Sequence, residues 1–215
     1  MIKLIDLLEN KILVPRRSPE ERSKNFLIAM QKKVQQYIKD GSKGDLDLSN
    51  TPITSLPQDL TVGGFLYLRN TLITSLPQGL KVKGALYLSY TPITALPKDL
   101  TVGGSLDLEN TPITSLPQGF TVGGYLDLQN TPITSLPRGL TVGGNLVLTN
   151  TTITTLPQDL KVGRNLDLTN TPITTLPQGL TVGGWLDLRI TPISKKYSKE
   201  QIKQMVTGIK GEIYI

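Results

Sequence analysis

The residues whose type and spacing could do chemistry in this chain are acids: Asp107 and Glu109, two positions apart, and Asp127, twenty positions beyond Asp107. Two carboxylates can divide the roles of general acid and base when their surroundings drive their pKa values apart. Nothing else assembles around these three. The chain has no histidine and no cysteine. That removes the usual general base, the histidine-activated nucleophiles and the commonest zinc ligands. Gly-Gly pairs recur, but no helix follows them, so they do not make a phosphate loop. Solvated acids on a sheet face explain the carboxylates more simply than catalysis does. The expectation is a protein that is not an enzyme, with no catalytic residue, no cofactor and no bound metal.

The elements that position these acids are repeats. The stretch from Gly64 to Lys83 recurs without a gap from Gly44 to about Pro192, with a period of twenty residues. Leu66, Leu68, Ile73, Leu76, Leu80 and Val82 mark its apolar columns. A strict period of this length signals a solenoid and is read before any other fold clue. In Phe65-Leu66-Tyr67-Leu68-Arg69, strand alternation turns the two leucines inward and the flanking three side chains outward. Gly63 and Gly64 suit a tight bend before the strand, and Pro77 favours an extended return over a helix. One turn cannot bury its own apolar face, so stability must come from stacking.

The pattern Leu66-x-Leu68-x-x-Thr71-x-Ile73-x-x-Leu76-Pro77-x-x-Leu80 resembles the short bacterial leucine-rich repeat of the Leu-Pro-x-x-Leu type. The resemblance covers about residues 43–193, in eight turns. It implies a repeat solenoid, mainly β, with a parallel sheet on the concave face and little helix on the convex face. Where the family carries an asparagine ladder, this chain has Thr51, Thr71, Thr91, Thr111, Thr131, Thr151, Thr171 and Thr191. A threonine hydroxyl makes fewer hydrogen bonds than an amide. A flatter parallel β-helix is therefore the alternative architecture.

The ends differ from the array. Residues 1–17 form a leader, either packed over the first repeat or serving as a docking peptide. Residues 18–43 form an N-terminal capping helix. Ser18-Pro19-Glu20-Glu21 carries a capping box and a proline at the first helical position. Phe26, Leu27, Met30, Val34, Tyr37 and Ile38 give the helix an apolar face, and Gly41 ends it. Residues 44–192 are the eight repeats, and 193–215 form a C-terminal cap. There Ser198-Lys199-Glu200-Gln201 opens a short helix ended by Gly208, and Ile213-Tyr214-Ile215 restates the repeat as a ninth strand.

The net charge of +6 is unevenly spread. Residues 1–44 hold ten Lys/Arg against five Asp/Glu, residues 45–188 seven against ten, and residues 189–215 six against two. The caps are basic and the array is acidic, so no basic stripe for nucleic acid runs along it. The absence of cysteine favours a reducing compartment. The N-terminus lacks a signal-peptide pattern, and no apolar run reaches a membrane span. A cytoplasmic protein is expected, with export by another route left open.

Inward positions hardly vary between repeats, whereas the outward columns do, and that variation could mark recognition. Phe65, Tyr67, Tyr87, Tyr90 and Tyr125 would form an aromatic patch over turns two to five, flanked by Arg69. Asp107, Glu109, Asp127, Asp167 and Asp187 lie beside and beyond it, with Trp185 toward the end, either on this face or under the C-terminal helix. Exposed aromatics often anchor partners. The leading expectation is a monomeric module that binds a protein or peptide, basic in part, through the concave face. Plain drift at tolerant surface positions accounts for the same columns without any partner. Two alternatives remain: a structural or ice-ordering solenoid built on the threonine ranks, and binding of anionic surfaces by the basic caps.

Overall fold

A computed structural model describes residues 18–206 and 208–215. The leader reading of 1–17 lies outside the described residues. A nine-stranded parallel sheet runs the length of the molecule. Its strands are Leu46–Asp47, Leu66–Tyr67, Leu86–Tyr87, Leu106–Asp107, Leu126–Asp127, Leu146–Val147, Leu166–Asp167, Leu186–Asp187 and Ile213–Tyr214. Register keeps every column intact, with Leu66 opposite Leu86 and Tyr67 opposite Tyr87. Leu46 to Leu186, at twenty-residue steps, are all essentially inaccessible to water. So are Leu48 to Leu188.

A second flank adjoins the sheet across the Gly-Gly bend. It is made of two-residue strands and splits into a three-stranded ladder at Thr61–Val62, Lys81–Val82 and Thr101–Val102, and a four-stranded one from Thr121–Val122 to Thr181–Val182. The bend holds glycine because adjacent turns touch there. A Cβ on Gly143 would lie 2.2 Å from the Gly123 carbonyl oxygen, closer than any side chain tolerates. Among the described residues, the stretch between the first and last leucine strands contains no helix. This is the sparse far side that the Leu-Pro repeats predict.

The threonine column does what one hydroxyl per turn allows. Thr71 donates to the Leu68 carbonyl at 2.8 Å, and Thr111 and Thr131 donate to Leu108 and Leu128 at 2.7 Å. These bonds close each turn on itself. Links between turns come instead from the preceding residue. Asn70 donates to Asn50 at 3.0 Å, Asn150 to Asn130 at 2.8 Å, and Asn170 to Asn150 at 2.7 Å. Each of these asparagines has a left-handed backbone, with φ between 54° and 58°. Asparagine tolerates that region better than other side chains with a Cβ.

Helix α1 (Pro19–Lys39) covers the first turn. Ser18 accepts from the Glu21 amide while Glu21 accepts from the Ser18 amide, closing the capping box. Val34 is buried, and Met30 and Tyr37 pack against the core. Phe26 and Ile38 instead face solvent, because the contact stripe runs through Leu27, Met30, Val34 and Tyr37 rather than across the whole apolar arc. Lys33 Nζ donates to the Asp47 carbonyl, and Tyr37 donates to Gly44 at 2.8 Å. Side chains of α1 thus satisfy backbone groups at the open edge of the sheet.

At the other end, α2 (Pro192–Lys196) and α3 (Lys199–Met205) close the core. Ile193, Ile202 and Val206 are buried, while Met205 is exposed. Helix α3 ends at Met205, with Val206 as its extended C-cap, earlier than the sequence suggests. Ile213 then pairs opposite Leu186 as the last strand.

Candidate functional site

The candidate site is the outward face of the nine-stranded sheet. Three side chains per turn point from it, at the positions before, between and after the two leucines. The structure gathers the aromatic residues of turns two and three. Tyr67 and Tyr87 stack with ring centroids 4.9 Å apart and planes 4° from parallel. Phe65 meets both edge-on, at 6.2 and 6.5 Å. These are favoured offset and T-shaped geometries. The guanidinium of Arg69 sits 4.6 Å from the Tyr87 ring centre. Phe65 remains exposed and Tyr67 and Tyr87 half-buried.

Tyr125 extends the patch. Burial pushes its phenol well above the ordinary range, and its neighbours Tyr87 and Asp107 add to the effect. It is a neutral hydrogen-bonding group at any physiological pH. Tyr90 stands at the margin, 59% exposed, with its hydroxyl 3.5 Å from Glu109 Oε1. Its φ of 60° places it in the column that asparagine fills in most turns. Ile190 occupies the same column with φ 60° and is 67% exposed. Neither makes the inter-turn amide bond. The sequence signal for this column was present: an asparagine precedes the conserved-spacing threonine in turn after turn, so Tyr90 and Ile190 stand out as departures. Ile190 was not among the expected site residues.

The acids divide into two kinds, which the sequence did not separate. Asp107 is only 4% exposed and is bonded to Arg69, two turns back. Asp187 is 3% exposed and is gripped by Arg189 through both of its oxygens. Burial pushes the Asp187 carboxyl up, but the hydrogen bonds and charge of Arg189 outweigh it and hold the group below its usual range. These two are therefore not solvated surface acids. Asp127 lies opposite Asp107 on the next strand and has no cation beside it among the described residues. Burial pushes its carboxyl up to about 6, Asp107, Glu109 and Asp167 push the same way, and the Gln129 amide opposes them. Asp167 is separated from Asp127 by the apolar Val147 on the intervening strand.

The aspartates also have a structural duty. Asp107, Asp127, Asp167 and Asp187 each accept from the backbone amide two residues on, at 2.9 to 3.1 Å. That local bond favours aspartate in the middle column whatever its contact with a partner. Trp185 sits edge-on to Tyr214 of the last strand, at 6.1 Å. The expected residues thus fall into an aromatic group at turns two to five, an acidic group from Asp107 to Asp187, and an isolated Trp185–Tyr214 pair. Among the described residues no group of three or more acids could hold a metal ion.

The chain superposes on the leucine-rich-repeat domain of a Shigella effector with a TM-score of 0.56, over 87% of this chain and 89% of that one, at 19% sequence identity. A leucine-rich-repeat protein of Leptospira interrogans matches over 77% of this chain and 59% of that one, with 20% identity and a TM-score of 0.36. No protein-family model and no curated protein sequence matches the chain. Together with the continuous parallel sheet and twenty-residue turns, the Shigella superposition defines the class: the fold is a leucine-rich-repeat solenoid.

Proposed function

We propose that this protein is a non-enzymatic recognition module whose sheet face binds a protein or peptide carrying an apolar anchor and a nearby cation. The observation that carries this reading is that the same sheet face holds, two strands apart, an open aromatic cluster and a carboxylate with no cation beside it among the described residues. The Phe65–Tyr67–Tyr87 cluster offers aromatic surface to solvent. Asp127 holds a carboxylate without a counter-ion. Aromatic clusters supply contact area at small entropic cost, and a partly desolvated acid rewards a matching charge. Arg69 and Asp107 already neutralise one another, so they add no net charge to the patch.

Selection from a random peptide display library tests the reading. Wild-type protein should enrich peptides that pair Lys or Arg with an aromatic or aliphatic residue. A folded variant carrying Tyr67→Ala, Tyr87→Ala and Tyr125→Ala should lose that enrichment. Enrichment of acidic peptides, or equal enrichment by both proteins, would move the binding surface to the basic caps. Among the described residues no helix is long and apolar enough to cross a membrane, and a cytoplasmic, monomeric protein is the form proposed.

A further inference from the structure

Among the described residues, one backbone bond of the flank beside the sheet recurs at every junction between turns but one. At Val62, Val82, Val122, Val142 and Val162, the carbonyl accepts from the backbone N–H of the residue one turn and one position on, at 2.8 to 2.9 Å. Val182 accepts from Lys210 at 3.0 Å. Val102 has no such bond with Gly123, and the flank ladder breaks there into its three-stranded and four-stranded parts. The break coincides with one change in the core. The column Leu60, Leu80, Leu100, Leu140, Leu160 and Leu180 has phenylalanine at position 120.

The turn in front of that phenylalanine is the one that opens. Leu100 is 7% exposed and Val102 is 5% exposed, whereas Leu80, Val82, Leu140 and Val142 are at most 1%. A cavity of about 430 Å³ lies at the seam, lined by Leu100, Val102, Gly103, Gln118 and Phe120 among others. The sheet side of the same junction stays closed. Leu106 donates to Tyr125 and Leu108 to Asp127, each at 2.9 Å, and Gly124 donates to Gly104 at 2.9 Å. A phenyl ring is larger than the isobutyl group the column is spaced for, and overpacking is relieved by moving backbone. With one side pinned by the sheet, the relief is a parting of the other.

We infer that Phe120 is a wedge that makes the junction between the turns of Val102 and Val122 a hinge, and that it sets the angle between the two halves of the sheet face. Phe65, Tyr67 and Tyr87 lie on one side of the junction, and Tyr125, Asp127 and Asp167 on the other. A ligand that engages the aromatic cluster and Asp127 together must span the hinge, so its fit depends on that angle. This last consequence rests on the recognition reading above; the hinge itself does not.

The test uses the free protein and needs no ligand. Amide hydrogen exchange should be at least tenfold faster at Gly123 than at Gly103 and Gly143, whose N–H groups are bonded across their junctions. Phe120→Leu restores the column's own residue and should slow Gly123 to the rate of those neighbours. Leu140→Phe should transfer the effect, freeing Gly143. The chain has no cysteine, so spin labels at Ser75→Cys and Thr155→Cys report the angle cleanly. Their distance distribution should be broader in the wild type than with Phe120→Leu. A Gly123 amide as protected as its neighbours in the wild type, or one that stays fast with Phe120→Leu, would overturn the hinge. So would identical distance distributions. A hinge seen by exchange in a protein that selects no basic peptide would leave the hinge standing and remove the recognition reading.

Discussion

Asp127 is the side chain on which the proposed recognition places its charge. Its carboxyl titrates near 6 in the folded chain, well above the value of about 3.9 expected when unfolded. A raised carboxylate means that the native state holds more protons than the unfolded state between those two values. Stability therefore falls as pH rises through that window and is lowest, for this group, above about pH 6. Asp127→Asn keeps an acceptor for the Gln129 amide and removes the charge. It should stabilise the protein by about 1 kcal/mol at pH 7, a figure kept low because the carboxyl is partly open to water. The gain should vanish near pH 4, as urea melts at the two pH values will show. A cationic ligand favours the ionised form, so its affinity should rise from pH 5 to pH 7 in the wild type and stay flat in Asp127→Asn.

Tyr90 is the second case at this scale. The left-handed backbone costs a tyrosine more than it costs an asparagine. An asparagine there would also stand between Asn70 and Asn110 in the ladder position. Tyr90→Asn should raise stability by about 0.5–1 kcal/mol, read as a shift in the urea midpoint with the slope unchanged. If Tyr90 serves the partner, the same substitution should weaken binding of the selected peptides. A rise in both stability and affinity would remove Tyr90 from the site.

At the scale of the element, each turn is a two-residue strand whose stability is borrowed from its neighbours. Leu106 is completely buried, and Leu106→Ala should cost about 3 kcal/mol through lost burial and the cavity left behind. Thermal denaturation of the purified variant will measure it. The repeat itself was legible because inward columns admit few residues: the leucines, the isoleucine and the Leu-Pro pair name the strand and the return. The bonding between turns was not. Threonine occupies the family's asparagine column, yet its hydroxyl closes its own turn, and the inter-turn role passes to Asn50, Asn70, Asn130, Asn150 and Asn170 one position earlier. Which acceptor a side chain reaches depends on backbone curvature that no single repeat displays.

The same limit applied to the site. The outward columns told which residues share the face, but not which of them satisfy one another. Arg69 reaches Asp107 across two turns, and Arg189 folds back on Asp187. Both contacts depend on side-chain reach rather than on register. With those pairs formed, Glu109, Asp127 and Asp167 are left without a counter-ion among the described residues, and of these Asp127 is the one whose carboxyl burial pushes up to about 6. The mixture of aromatic and acidic residues was visible in the sequence; its division into paired and unpaired charge was not.

Over the whole molecule, a solenoid has no central core to hold its ends, so the caps decide where unfolding begins. Ile213 is fully buried against the last leucine strand. Ile213→Asp should detach that strand and speed amide exchange in the turns of Leu186 and Leu166, while the turn of Leu66 keeps wild-type protection. Uniform loss along the chain would mean that the array unfolds as one unit. The charge pattern is also a property of the whole. Lysines on α1 face solvent at one end, while the unpaired acids lie on the sheet between the caps. The two surfaces would select partners of opposite charge.

The measurement that bears most directly on recognition is amide chemical-shift mapping of a selected peptide on the wild-type protein. Perturbations should centre on Tyr67, Tyr87, Tyr125 and Asp127 and should shrink at pH 5, where Asp127 takes up its proton. Perturbations confined to α1, or to α2 and α3, would contradict a sheet-face site and assign binding to the basic caps.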